Sequence, residues 1–544
     1  MKNKYILLGL SYLAALCSCS DDKAFEPDYL PKITSDHAMT STVNVANKHQ
    51  VIDGFASSDA WTMDYIGKYW SNNAKEGIAK LLFSQKVERG NPEGIGLSMW
   101  RVNLGGGTAE QGEASGITDK TRRVECFLTQ NGTYDWNKSS GQQYFMQKAK
   151  EYGCNNFVLF SNTPPVQFTV NGKGSGDWWN NNLREDCFDD FADFLATVAK
   201  HFSDNGYNIS YISPLNEPQY SWGGDGQEGC SWQHVHVVLL LPAFQPLLLF
   251  SKMARALNES LKTKGPENTM MLLAEAAKVP YLYTTDDSWA DRANVIPTYF
   301  KSDSEHYLGD LERMPKLICA HSYWWDKTWD VLFDSRTKAR AEADKYGLKL
   351  YQTEWSMLGE GYEDYENYDQ ATYMDLALSM AKVLHHDLVT ASMNSWAYWT
   401  TASQEVYSQK SRFYMIRLIP TGGDYGNIAD GGTYESSKNL WVLGNYSLFV
   451  RPGYYRVDLN IPEGDKKFFG SAYISPEEDK LVVVYTNIND ESIQMETSIE
   501  GLNKQVVSMR QYVTSSTSDL NEVDEYLKGY IPAKSVVTMV YDLK

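Results

Sequence analysis

Cysteine is scarce in this chain, at seven in 544 residues, and two of the seven, Cys17 and Cys19, fall in its leading segment. The other five (Cys126, Cys154, Cys187, Cys230 and Cys319) cannot all pair and show no CxxC spacing. That excludes a disulfide-stapled scaffold, argues against zinc, and leaves mostly buried free thiols. Long apolar runs are missing too. Residues 5–16 are too few to span a membrane, and the apolar stretch 235–250 is too short and is interrupted by Pro242 and Pro246. Basic charge is low: 50 Lys and Arg stand against 69 Asp and Glu, a net −19. Binding to phosphate backbones needs a basic stripe, so nucleic acid is ruled out as a partner. The glycines at 105–107 are not followed by GK[ST] or GxGxxG, so no phosphate or dinucleotide loop is present and no organic cofactor is implied. His234-x-His236 has metal-like spacing without an evident third ligand, and no metal is expected.

Aromatic residues are plentiful, at 13% with 16 Trp and 36 Tyr. They supply core and interface surface, and also flat rings on which the apolar faces of sugars stack. Lys2 and Lys4 precede the apolar residues 5–16, and Leu16-Cys17-Ser18-Cys19 and Ser20-Asp21-Asp22 follow. Residues 1–19 therefore read as a lipoprotein signal peptide acylated at Cys19, with Cys17 as the alternative residue and an ordinary cleaved secretory signal as the other reading. The expectation is an exported monomer, lipid-anchored in the outer membrane and touching the membrane only through that anchor. Residues 20–40 read as a linker.

Strand-like and helical patterns alternate over residues 51–432. Candidate strands are 51–56, 95–103, 156–161, 209–215, 270–275, 316–321, 349–353 and 394–399, with helical stretches such as 188–202, 329–346 and 370–385 between them. Eight strands with seven helical connections predict an α/β protein with a (β/α)8 TIM barrel. The stretch 235–250 reads as a buried, kinked helix. From 433 to 544 short β-rich runs recur without long helices, which predicts a β-sandwich side domain. Residues 41–50, with an alternating run at 41–45, have no place in the barrel and are expected to join that sandwich.

Two glutamates follow strand-like runs: Glu217 in Asn216-Glu-Pro218 and Glu354 in Thr353-Glu-Trp355. Strand C-terminal ends are where such barrels hold catalytic groups. Two carboxylates on different strands suit glycoside hydrolysis, one as proton donor and the other as nucleophile or base. Arg101 closes strand 2 and can hold a carboxylate ionised. Asn216 can hydrogen-bond a sugar hydroxyl. His321 ends strand 6, with Tyr323 in reach of Glu354. Trp399 ends strand 8, where an indole can floor a sugar subsite. Asp59, Trp61, Asn103, Trp178 and Trp222 complete the candidate substrate-binding set, and Trp178 has Trp179 beside it. Glu275 ends strand 5 as a rival carboxylate, in a secondary or structural role.

These residues resemble glycoside hydrolase family 30, from about residue 41 to 544. The resemblance rests on Asp53-Gly-Phe-Ala56, Arg101-Val-Asn-Leu-Gly-Gly106, Asn216-Glu-Pro218 and Thr353-Glu-Trp355. It implies a retaining enzyme whose side domain is built from both chain ends, with Glu217 as acid/base and Glu354 as nucleophile. The glucosylceramidase-like branch is expected to carry an Asp where this chain has Gly105-Gly-Gly-Thr-Ala109. Asn103-Leu-Gly-Gly-Gly107, Pro218-Gln-Tyr-Ser-Trp222 and Gly226-Gln-Glu-Gly-Cys230 look more like the endo-β-1,6-galactanase branch. The expected substrate is a β-1,6-galactan of the arabinogalactan type. β-1,6-Glucanase, xylanase and glucosylceramidase-like activities are the alternatives, and a non-catalytic surface glycan-binding lipoprotein is the rival from another class.

Overall fold

A computed structural model describes residues 35–178, 180–232, 246–284, 292–365 and 367–544. Eight parallel strands follow one another in the chain: Gly54–Ser57, Met99–Leu104, Asn156–Ser161, Ile209–Ser213, Met270–Met271, Leu317–His321, Lys349–Glu354 and Ser395–Tyr398. They are barrel strands 1 to 8 below. Strands 2 to 5 pair in sequence order, as do 6, 7, 8 and 1. Parallel bridges at Ser58–Arg101 and Ala276–Ala320 join the two runs and close the barrel.

Side chains alternate across each strand. Met99, Val158, Leu317, Cys319, Tyr351 and Ala397 fill the barrel interior, while Trp100, Val102, Phe157, Leu159, Ile318 and Leu350 face the surrounding helices. The helix Phe188–Asp204 buries Phe188, Phe191, Leu195, Val198 and Phe202 along one stripe, as its spacing predicts. Helices Trp329–Asp344 and Tyr373–His385 start at Thr328 and Thr372, whose hydroxyls accept the N–H of Val331 and Asp375. The five cysteines are buried free thiols.

Sequence and structure part at three boundaries. The first strand starts at His37, inside the expected linker, and runs to Val51. It lies antiparallel to Tyr455–Asn460 and parallel to Ile493–Glu500. Residues 433–450 do not open the side sheet: Gly432–Ser436 pairs with Ile416–Pro420, and Lys438–Ser447 is a helix. That helix is buried on nearly all sides, through Leu440, Trp441, Val442, Leu443 and Tyr446. It lacks a polar stripe, which is why its run does not read as an amphipathic helix. The barrel's last helix thus lies beyond residue 432, and the side sheet resumes at Tyr455. The expected kinked helix falls outside the described residues up to 245, with Pro246–Thr263 helical beyond it. The signal segment, Trp179, His234 and His236 also lie outside the described residues.

The side domain is a nine-stranded sheet that curls on itself. Gln511 near one end donates to the Tyr530 carbonyl and accepts from the Gly529 N–H at the other, both at 2.8 Å. Leu481, Val483 and Tyr485 point into this fold while Val482 and Val484 pack on the barrel side. Barrel and side sheet belong to one compact unit, Ser35–Lys544.

One close approach supports the rim of the barrel. Helix Thr62–Tyr69 crosses helix Ser140–Glu151 at Gly67 and Gly141, and a methyl on Gly141 would sit 1.8 Å from the Asp64 carbonyl oxygen. Gly141→Ala is expected to destabilise the fold by about 1–3 kcal/mol through overpacking, seen as a lowered thermal midpoint.

Candidate active site

The functional side chains come from strand ends. Arg101 points inward two residues after Met99, and its guanidinium lies 3.6 Å from the Phe160 ring centroid. Asn216 follows strand 4, its N–H bonded to the Ser161 carbonyl at 2.8 Å. Glu217 and Glu275 have φ of 44° and 47°, in the left-handed region. Non-glycine residues there carry strain that surrounding contacts must hold. The Glu217 N–H donates to the Glu275 carbonyl at 3.1 Å, linking the two strained positions. Strand 7 pairs regularly with strand 6 up to Gln352, and the register shifts before Glu354. A shift of that kind re-aims a side chain that strict alternation would send to the other face.

Eight side chains then meet in the closed end of the site. Arg101 Nη1 donates to Glu354 Oε1 at 2.5 Å and Nη2 to Asn216 Oδ1 at 3.0 Å, with Glu275 Oε1 at 3.3 Å. His321 Nδ1 lies 2.6 Å from Glu217 Oε1 and 3.5 Å from Glu354 Oε2, and its Nε2 lies 3.1 Å from Glu275 Oε2. Thr353 donates to Glu275 at 2.6 Å, and Tyr323 Oη donates to Glu354 at 3.3 Å. Burial alone would hold His321 neutral, but the surrounding carboxylates Glu354, Glu217 and Glu275 raise its pKa to about 10. Burial also opposes ionisation of Glu275, and Arg101 and His321 overcome it, taking that carboxyl down to about 2. Glu354 is pushed up by burial and by neighbouring Glu217, against the pull of His321 and Arg101. One oxygen from each of Glu217 and Glu354 and one His321 nitrogen lie within 4.8 Å of one another. This trio has the composition of a metal site. However, the imidazole has a carboxylate at each nitrogen and favours the protonated form, which donates rather than ligates.

A cavity of about 180 Å³ opens above Glu217 and Glu354. Trp61, Asn216, Trp222, Tyr323 and Trp399 line it, as the sequence suggests. Trp61 and Trp399 meet edge to face at 5.1 Å, and Trp222 Nε1 donates to the Glu217 carbonyl at 3.1 Å. Arg101 and His321 lie behind this wall and touch the carboxylates. Three candidates are placed elsewhere. Asp59 is fully buried; its oxygens accept the Asn103 N–H at 2.8 Å and the Gln142 amide at 2.9 Å, and burial lifts its pKa to about 7. It ties strand 1 to strand 2 and has no oxygen free for a sugar. Asn103 is buried, its Oδ1 accepting from Asn162 at 3.2 Å. Trp178 is 59% exposed and lies over Gly223, where an added Cβ would come within 2.7 Å of its ring, so it buttresses the Trp222 loop instead of lining the cavity.

Sequence reasoning missed Asp119, Arg122, Gln227, Tyr407 and Phe413 on the cavity wall. The Arg122 guanidinium sits 4.8 Å from the Trp61 ring and 5.9 Å from Tyr407. These residues come from loops without periodicity, so no positional signal marks them.

The profile of O-glycosyl hydrolase family 30 matches residues 38–412. The chain belongs to this family. The family is one of O-glycosyl hydrolases, among which the retaining mechanism is general. An endo-β-1,6-galactanase from Hypocrea rufa is 26% identical over 210 residues, 35% of this chain and 42% of that protein. The chain thus spans less than half of that galactanase. A glucuronoxylanase from Bacillus subtilis strain 168 is 23% identical over 514 residues, 92% of each chain. The crystal structure of a conserved exported protein from Bacteroides fragilis superimposes with a TM-score of 0.81 at 29% identity, covering 92% of this chain and 100% of the other. Retaining enzymes hold their two carboxyl groups roughly 5–5.5 Å apart, closer than inverting enzymes do, and one oxygen of Glu217 lies within 4.8 Å of one oxygen of Glu354.

The raised His321 pKa gives a pH signature. A group whose pKa rises on folding stabilises fully below its unfolded value, 6.5, and loses that contribution as pH passes its folded value, about 10. The thermal midpoint of wild type should exceed that of His321→Gln by a margin that is largest below pH 6.5 and shrinks toward pH 10. Differential scanning measurements on both proteins check this.

Proposed function

We propose that this chain is an endo-β-1,6-galactanase of family 30, with Glu217 as acid/base and Glu354 as nucleophile. One observation carries the residue assignment: two carboxylates from strands 4 and 7, with oxygens within 4.8 Å, lie beneath a wall of Trp61, Trp222 and Trp399. Glu217 protonates the glycosidic oxygen while Glu354 attacks the anomeric carbon, so the C–O bond breaks as a glycosyl ester forms. Glu217, now a carboxylate, deprotonates water, which attacks the anomeric carbon and breaks its bond to the Glu354 oxygen, releasing Glu354. Arg101 and Tyr323 donate to Glu354 and favour its ionised form, as a nucleophile requires.

The substrate assignment draws on the glycine run after Arg101, on the Pro218–Trp222 sequence and on the similarity to the Hypocrea rufa galactanase. A second reading, glucuronoxylan as substrate, is favoured by the match to the Bacillus subtilis enzyme over 92% of the chain.

Product analysis on β-1,6-galactan, β-1,6-glucan and glucuronoxylan separates these readings. Oligosaccharide ladders from β-1,6-galactan are expected, and ladders from xylan alone would favour the second reading. On the cleaved polymer, Glu217→Gln should lower kcat by about 10²–10⁴-fold, and Glu354→Gln by at least as much. Near-normal turnover in either variant would refute its assigned role.

A further inference from the structure

A second cavity, of about 400 Å³, is larger than the catalytic one and lies in the size range of small-molecule sites. It opens where the start of helix Tyr373–His385, the hairpin Ile416–Pro420/Gly432–Ser436, the start of helix Lys438–Ser447 and the turn at Ser516 and Asp519 converge. The hairpin relates it to the catalytic cavity. Strand Ala402–Gln404, which contributes Ala402 and Ser403 to the catalytic wall, pairs with Ile416–Pro420. Phe413 lines the catalytic cavity and its neighbour Tyr414 lines the second.

The lining selects a ligand class. Two cations, Arg417 and Lys438, are balanced by two anions, Glu435 and Asp519. Lys438 pairs with Asp519 at 2.6 Å, and Arg417 is held by Glu405 and Asp424, both at 2.9 Å, and reaches Glu435 at 3.4 Å. With its cations already paired the wall offers little to a phosphate, but it presents donors and acceptors together, as a neutral polyhydroxyl ligand requires. Serine hydroxyls at 436, 437 and 516 add to them. Tyr373 supplies a flat apolar ring, 40% exposed, with its hydroxyl anchored on Glu405 at 2.7 Å. A second observation is independent of this composition. Tyr414 is 1% exposed, and its hydroxyl has no hydrogen-bond partner among the described residues. Buried hydroxyls are normally satisfied, and this one belongs to a residue that lines the cavity.

We propose that this cavity is a non-catalytic glycan-binding site, holding a neutral stretch of the same β-linked polysaccharide that the catalytic cavity cleaves. It rests on the glycosidase activity and is independent of which polymer is the substrate. Tyr373 is the platform, and Glu435 with Arg417 reads the hydroxyls.

Affinity electrophoresis of Glu354→Gln through gels holding β-1,6-galactan, β-1,6-glucan or glucuronoxylan reads binding without turnover. Adding Tyr373→Ala or Glu435→Ala should weaken retardation by about 3- to 10-fold, the worth of one stacked ring or paired hydrogen bond. In the active enzyme the same substitutions should lower kcat/KM on the retarding polymer by a similar factor and leave it unchanged on that polymer's tetrasaccharide. Equal retardation of the parent and both double variants would overturn the proposal, and so would a parallel loss on polymer and tetrasaccharide. An absence of retardation by all three polymers also overturns it, while the product analysis judges the glycosidase reading separately.

Discussion

A buried cluster of charge organises this enzyme. Arg101, Glu275 and His321 are each shielded from solvent, and Glu275 stays ionised there because both cations lie beside it. An isolated charge at such depth costs several kcal/mol, and removing one member of a buried pair typically costs about 3–5 kcal/mol. The two cations carry a further obligation, because Glu275 alone does not satisfy them. Arg101 reaches on to Glu354 and Asn216, and His321 to Glu217 and Glu354. Glu217 and Glu354 are therefore positioned by the electrostatic needs of the groups beneath them. Changing Glu275 would disturb Glu217 and Glu354 although it does not line the cavity.

The barrel makes this cluster affordable. Arg101 lies within strand 2, Glu217 follows strand 4, Glu275 follows strand 5, His321 ends strand 6 and Glu354 ends strand 7. Residues 253 positions apart in sequence are brought to hydrogen-bonding distance, and the entropy of that closure is met by the packed barrel wall rather than by the site. The irregular register before Glu354 and the positive φ at Glu217 and Glu275 are the local distortions that aim the carboxylates. The floor is consequently charged, while aromatic side chains from the loops line the cavity above it.

How far the sequence discloses this depends on periodicity. Every barrel strand is legible because its apolar run is bounded by turns, and Glu217 and Glu354 are legible because they end such runs. Helix Lys438–Ser447 is hidden because burial on all sides removes the polar face that marks a helix. Asp59 misleads in the opposite direction: a carboxylate near a strand end reads as a ligand contact, and only the structure shows its oxygens occupied by Asn103 and Gln142. Arg122 and Tyr407 sit in loops where residue type carries no positional signal. Glu275 is visible as a strand-end acid, but its role depends on Arg101 and His321, and no spacing rule reveals that partnership.

The central claim is that Glu217 and Glu354 lie close enough for Glu354 to attack the sugar directly, with no water between. The most direct measurement is proton NMR of the anomeric signal during the first minutes of hydrolysis. Direct attack followed by hydrolysis predicts that the β-anomer of the new reducing end forms first and the α-anomer grows in only by mutarotation. An α-anomer formed first would contradict the account, since it would mean that a water molecule occupies the space between the two carboxylates.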